Sequence, residues 1–294
     1  MQQNEAMIRV LMVGVCNTDL ELVRGYYPYA GVLGHEFVGE VVAGSSEWLG
    51  KRVVGEINAT CGKCSFCQQG MPSHCSNRTV LGIVGRNGAF AQYLTLPTRN
   101  LHLVPENLST DHATFTEPLA AALEIQEQIE ITGKQKIAVI GDGKLGILIA
   151  QSLRASGAAP LVIGRNEKKR RLAESFDLPW MTADKAGRDF DIAVEVTGNP
   201  DGFEIARSLI RPRGTLVLKS TYADRISVDF SSIVVDEITL IGSRCGPFKP
   251  ALELLANGKV DVAPIIEGHF PLKDGLKAFD LAAQPGAMKV LVEP

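Results

Sequence analysis

The chain lacks an excess of charge of either sign. Its 294 residues carry 30 Lys and Arg against 33 Asp and Glu, a formal net charge of −3. No basic face of the kind that nucleic acid or an anionic membrane requires is therefore expected. No uninterrupted apolar stretch reaches the length of a membrane span. The opening MQQNEAMIRVLMVGVC has no basic leader followed by a long apolar core and a small-residue cleavage site, so it reads as a strand, and the cytoplasm is the expected location. Internal repeats and low-complexity segments are missing too. Aromatic residues make up only 6%, and no aromatic box marks a pocket.

What is present is an ordinary globular composition, 45% hydrophobic and 21% charged, long enough for two domains. Residues 7 to about 110 read as short strands and turns, with apolar, β-branched runs at Val10–Val15, Phe37–Val42 and Arg52–Ile57. From about residue 113 the pattern changes. Thr116–Ile131 has helical spacing, and strands (Lys136–Ile140, Leu161–Gly164, Ile192–Val196, Thr215–Lys219, Ile238–Ile241) then alternate with helices (Gly146–Ser156, Glu167–Phe176, Gly202–Ile210). Such alternation predicts an α/β fold with a parallel sheet. After Gly246 come a helix at Pro250–Leu255 and irregular, strand-like sequence. The expected division is a β-rich domain at 1–112, an α/β domain at 113–246, and a segment at 247–294 that returns to the first.

Six cysteines occur, four of them as Cys61-x2-Cys64-x2-Cys67-x7-Cys75. Zinc prefers four thiolates in a tetrahedron, and CxxC turns bring two sulfurs to one ion. Disulfides or an iron–sulfur cluster are the competing uses, but a chain of this size without a leader favours metal. Gly62 and Gly70 supply the tight turns. With all four positions filled by protein, this is a structural zinc that contributes folding energy rather than chemistry.

Gly141-Asp142-Gly143-Lys144-Leu145-Gly146 follows the strand KIAVI and opens a helix, the context that makes a GxGxxG credible as a dinucleotide loop. Its glycines permit a tight turn, close approach of a pyrophosphate and close helix–strand packing, with the phosphates on the helix N-terminus. An acid at the end of the next strand would take the ribose 2′-hydroxyl of NAD; the chain has Gly164-Arg165-Asn166 instead. That pattern favours NADP, with NAD possible, because no carboxylate repels a 2′-phosphate and Arg165 can pair with it. Thr197, directly after Ile192–Val196, joins the cofactor candidates.

Cys16 in VGVCNTD, His35 and Glu36 in GVLGHEFVGEV, and Glu117 in TEPLA are each commonplace alone. Together they supply the thiolate, imidazole and carboxylate of an open catalytic zinc. Neighbours on a strand face opposite ways, so His35 and Glu36 can share an ion only if the backbone turns between them.

Taken in order, VGVCNTD, GHEFVGEV, CGKCSFCQQGMPSHC, TEPLA and VIGDGKLG resemble the zinc-containing medium-chain dehydrogenase/reductase superfamily, most closely its sorbitol, threonine and glucose dehydrogenase branches. The resemblance implies a GroES-like lobe, a Rossmann lobe and an active-site cleft between them. It implies two zinc ions per chain, with Cys16 and His35 as catalytic ligands alongside Glu36 or Glu117. It also implies a homo-oligomer, dimer or tetramer, acting on a small-molecule alcohol. Thr18 matches the family's proton-passing hydroxyl, Asp19 the acid that orients the zinc-bound imidazole, and Arg244 a position near the cofactor phosphates. Thr18 and Asp19 could equally cap a helix starting near Leu20. Three departures stand out: no opening hairpin precedes the first strand, which leaves that strand an exposed edge; the linker Ala43–Lys51 is short; and Glu21 stands where many relatives carry a relay histidine. The expected activity is hydride transfer between a secondary alcohol and a nicotinamide cofactor. The alternative is a zinc-stabilised dinucleotide-binding regulator without turnover.

Overall fold

The computed structural model describes residues 4–25, 27–221 and 227–294. The chain divides into two compact units, one of Met1–Glu117, Phe248–Ala256 and Ile265–Pro294, the other of Pro118–Pro247 and Asn257–Pro264. Among the described residues no helix is long and apolar enough to cross a membrane.

The first unit opens with strand β1 (Glu5–Gly14) and helix α1 (Asn17–Val23), then β2 (Glu36–Ala43), β3 (Arg52–Gly55) and β4 (Asn58–Ala59). Helix α2 (Ser65–Gln68) lies within the cysteine loop, and β5 (Thr79–Leu81), β6 (Gly85–Arg86), β7 (Tyr93–Pro97), β8 (Leu101–Leu103) and α3 (Thr110–Ala113) follow. Helix α4 (Thr116–Gln128) ends three residues short of the sequence expectation, before the Thr132-Gly133 turn.

The second unit carries β9 (Ile137–Ile140), α5 (Lys144–Ala155), β10 (Pro160–Ile163), α6 (Glu167–Ser175), β11 (Trp180–Met181), β12 (Phe190–Glu195), α7 (Asp201–Leu209), β13 (Ile210–Leu218), α8 (Phe230–Val235) and β14 (Thr239–Gly242). All pairings in its sheet are parallel, in the order β11-β10-β9-β12-β13-β14. Counted within the sheet this is 3-2-1-4-5-6, the doubly wound dinucleotide-binding order. Every residue of β9 is buried, as a central strand covered on both faces requires. Phe190, Phe203, Leu209, Ile210, Leu216 and Ile233 belong to the core packed around it.

Helix α9 (Phe248–Ala256), β15 (Ile266–Pro271), α10 (Gly275–Ala282) and β16 (Lys289–Glu293) belong to the first unit. Its main sheet runs β15-β16-β1-β2-β3-β8, with β7 also on β1. Here an expectation is corrected: β1 has no exposed edge. One side pairs with β2 between Met7 and Gly14. On the other, Glu5–Arg9 pair with β7, and Val13 and Gly14 pair with Val292 and Leu291 of β16. β7 covers the first half of that side and β16 its end, the latter a pairing too distant in sequence for local pattern to reveal. Helix α10 likewise stands where irregular, strand-like sequence is expected.

Candidate metal centres and dinucleotide site

The cysteine loop folds back so that its four sulfurs converge within 4.8 Å. Gly62 (φ +72°) and Gly70 (φ +75°) take the left-handed conformation that other residues resist. Cys64 caps α2, and Cys75, fully buried, ends a short 3₁₀ turn at Pro72–His74. The Sγ–Sγ distances are 3.5 Å for Cys64–Cys67, 3.7 Å for Cys64–Cys75 and 3.5 Å for Cys61–Cys75. A disulfide would need about 2.05 Å. A tetrahedron of thiolates about 2.3 Å from zinc has edges of about 3.8 Å, so the sulfurs fit the ion. The backbone N–H of Cys61 donates to Cys75 Sγ at 3.4 Å. The N–H of Cys67 is the main force pulling the Cys64 thiol down to about 6, whereas desolvation pushes Cys67 up to about 11. Crowded thiols resist ionising together, and a dication removes that conflict.

The second cluster lies where β1 gives way to α1 and where β2 begins. Ligand atoms of Cys16, His35 and Glu36 lie within 4.8 Å of one another. His35 is outside the strand and Glu36 is its first residue, after Gly34 at φ +95°. The backbone thus turns at the point required for neighbours to share a face. Cys16 is the N-cap of α1. Asp19, fully buried, accepts the Cys16 N–H at 2.9 Å and the Gly34 N–H at 3.1 Å, and its Oδ1 lies 3.4 Å from His35 Nδ1. One carboxylate therefore caps the helix and faces the imidazole. Burial alone would lower the His35 pKa, but the Asp19 and Cys16 charges outweigh it and hold the pKa well above 6.5. Such a site attracts a cation. Thr18 Oγ1 is 3.7 Å from Cys16 Sγ. Glu117 lies outside the three-residue group, half-buried, but near enough to be one of the charges that favour protonated Lys289.

Lys289, at the start of β16, joins this group from the far end of the sequence. Its ammonium, 1% exposed, forms an ion pair with Glu36 Oε2, approaches Val15 O at 3.5 Å and lies over the Phe115 ring. Burial opposes the charge, yet Glu36 and Cys16 raise its pKa above the ordinary lysine value. Gly14 leaves the room: a Cβ there would press on Glu36 Oε2, Lys289 Cδ and Thr114 Cγ2. The only sequence signal was a lysine within an otherwise apolar strand, MKVLV.

In the second unit, Gly141 (φ +127°) turns the chain out of β9, and a Cβ on it would meet Val196 O at 2.8 Å. Gly146 lies inside α5, not at its start as expected, since Gly143 caps the helix; a Cβ at 146 would overlap Gly141 O. Around Gly143 no atom lies within 4 Å of a built Cβ. An open approach to the N-terminus of a twelve-residue helix suits a pyrophosphate. Lys144 and Leu145 are its first residues. The loop lies at the end of β9, where the strand order reverses toward β10 and β12, and such a reversal is where this architecture takes its ligand. Thr197 follows β12 and gives both its N–H (2.8 Å) and hydroxyl (2.6 Å) to Glu195, a fully buried acid that also accepts from Ser220 (3.0 Å). Glu195 was not read from the sequence. Gly164 follows β10; Arg165 is exposed, and Asn166 caps α6 through the Lys168 N–H at 2.9 Å. Arg244 is exposed, its guanidinium 3.8 Å from Cys245 Sγ.

Comparison with known proteins fits this geometry. Residues 2–106 match the alcohol dehydrogenase GroES-like domain, and residues 145–257 match the zinc-binding dehydrogenase domain. The chain is 31% identical to an L-threonine 3-dehydrogenase of Streptomyces avermitilis, covering 98% of this chain and 92% of that protein. It belongs to the zinc-containing medium-chain dehydrogenase/reductase superfamily.

A sorbitol dehydrogenase of Halalkalibacterium halodurans is 29% identical over 99% of this chain and 92% of its own length. A protein of zinc-binding dehydrogenase type from Sinorhizobium meliloti 1021, solved bound to NADP, superposes with a TM-score of 0.91 at 28% identity, covering 100% of this chain and 93% of that one. This medium-chain dehydrogenase is thus an oxidoreductase with a GroES-like part and a Rossmann part. Its expected resemblance and fold class both stand.

Proposed function

We propose that this dehydrogenase oxidises a secondary alcohol of a polyol, sugar or hydroxy amino acid and delivers the hydride to a nicotinamide cofactor, NADP in preference to NAD. The carrying observation is the convergence of Cys16, His35 and Glu36 on one point, with Asp19 behind the imidazole and Lys289 behind the carboxylate. A protein that only bound dinucleotide would have no need of an open three-ligand site, and the regulator reading is not favoured.

Cys16, His35 and Glu36 would hold the catalytic zinc, with Glu117 as the alternative carboxylate; Cys61, Cys64, Cys67 and Cys75 would hold the structural one. The catalytic ion, when bound, supplies the Lewis acidity that brings an alcohol's pKa toward neutrality. Asp19 keeps the imidazole of His35 oriented toward the ion. The Thr18 hydroxyl, near Cys16 Sγ, would accept the alcohol proton while giving its own to solvent water. Backbone N–H groups at Gly143–Leu145 hold the pyrophosphate, and Arg165 meets a 2′-phosphate. Sorbitol and L-threonine, named for two relatives, both carry secondary hydroxyls, which supports the substrate class. The family resemblance also supports a dimer or tetramer, which light scattering would report.

Elemental analysis of purified protein should find two zinc ions per chain. Cys16→Ser should lose one zinc and fall by at least about a thousandfold in kcat/KM on a panel of polyols, sugars and secondary alcohols, while its circular dichroism stays unchanged. A single zinc in the parent protein, held only by the four cysteines, would sink the reading. A strong preference for NAD in the same panel would refute the role given to Arg165.

A further inference from the structure

The end of β10 lacks an acidic residue of its own, yet a carboxylate stands there. Asp142, second residue of the glycine loop, reaches across so that its Oδ2 accepts from Trp180 Nε1 at 3.2 Å. Its Oδ1 lies 3.7 Å from Lys169 Nζ. The two side chains are only 12% and 17% exposed. A Cβ on Gly164 would overlap Asp142 Oδ2 and Trp180 Nε1. Asp142 therefore occupies the space that a side chain at position 164 would claim, and glycine at 164 is what admits it. Four elements converge to hold it: the loop after β9, the end of β10, the start of β11, and α6. At 3.7 Å the lysine is an ion-pair partner beyond hydrogen-bond reach, so Oδ1 keeps capacity to accept.

We propose that Asp142 is the residue that sets the choice between NAD and NADP, by accepting the adenosine ribose 2′-hydroxyl from inside the glycine loop in place of a strand-end acid. Lys169 beside it offsets that carboxylate and, together with Arg165, turns to a 2′-phosphate when one is present, which keeps NADP the preferred cofactor. The two side chains form a charge pair whose halves favour opposite cofactors: the carboxylate repels a phosphate and receives a hydroxyl, and the ammonium does the reverse. This rests on the reading that a dinucleotide lies along the Gly141–Gly146 loop.

The test is calorimetric titration of the full-length, zinc-loaded protein with NAD, NADP, ADP and 2′,5′-ADP. Asp142→Asn keeps an acceptor for Trp180 but removes the charge. It should weaken NAD by about tenfold, the loss of one charge-assisted hydrogen bond, while NADP holds or tightens. Lys169→Met should move the ratio the other way, weakening NADP and 2′,5′-ADP relative to NAD and ADP. Opposite shifts from the two variants cannot come from a merely loosened loop. Parallel losses for both cofactors, or an unchanged ratio in Asp142→Asn, would overturn the proposal. Failure of the parent protein to bind either dinucleotide would instead overturn the nucleotide reading beneath it.

Discussion

Cys75→Ser should leave the protein with one zinc in place of two and with its 58–86 segment open to proteolysis. The reason is the closure of the site. Cys75 is fully buried, two of the close sulfur–sulfur contacts run through it, and it accepts the Cys61 N–H. A closed four-thiolate zinc contributes on the order of 10 kcal/mol to folding of small zinc domains. The strands beside this loop are only two or three residues long, too short to hold themselves. Limited proteolysis with mass spectrometry should find new cleavage sites there, and a chelator should reproduce them in the parent protein. Dinucleotide titration should be unaffected, since the second unit contains none of the four cysteines. Two zinc ions retained in Cys75→Ser would show that the sulfurs serve something else.

The second large effect is expected from Lys289→Met. The substitution keeps the aliphatic volume but leaves Glu36, 1% exposed, as a buried carboxylate without its cation. Breaking a buried pair from one side typically destabilises by about 3–5 kcal/mol. That is a large part of a typical domain's stability of about 5–15 kcal/mol. Urea unfolding of metal-free parent and variant, compared side by side so that no zinc ion stands in for the missing ammonium, should show the loss as a lower midpoint with an unchanged slope. Glu36→Gln combined with Lys289→Met should recover part of it, because no uncompensated charge then remains. Strict additivity of the two single losses would show that Lys289 and Glu36 are not energetically coupled.

These two sites mark what could be read in advance. The cysteine loop and the Gly141–Gly146 turn are local: their chemistry is set by spacings of a few residues, which a sequence displays directly. The convergence of Cys16 with His35 was legible only through family resemblance, because no spacing rule joins residues nineteen apart. Lys289 was invisible for the same reason, carried to an extreme: its partner Glu36 is 253 residues away. Asp142 has no role legible within its motif, because what it does depends on Trp180 and Lys169 arriving from other strands and helices. Glu195 looked like the end of an apolar strand; only the turn that follows shows it gathering the Thr197 and Ser220 hydroxyls.

The shared position of β1 has a bearing on how the protein is made. Its partners β2 and β7 follow within the first hundred residues, but the partner of Val13 and Gly14, β16, is made last. During synthesis on the ribosome, the half-built sheet therefore exists with an open slot while the residues from Pro118 onward emerge and fold. Premature release or truncation before Lys289 would expose both an unpaired strand segment and an unneutralised Glu36. A peptide spanning Met288–Glu293, supplied in trans to a nascent chain stalled before it, would be expected to fill that slot.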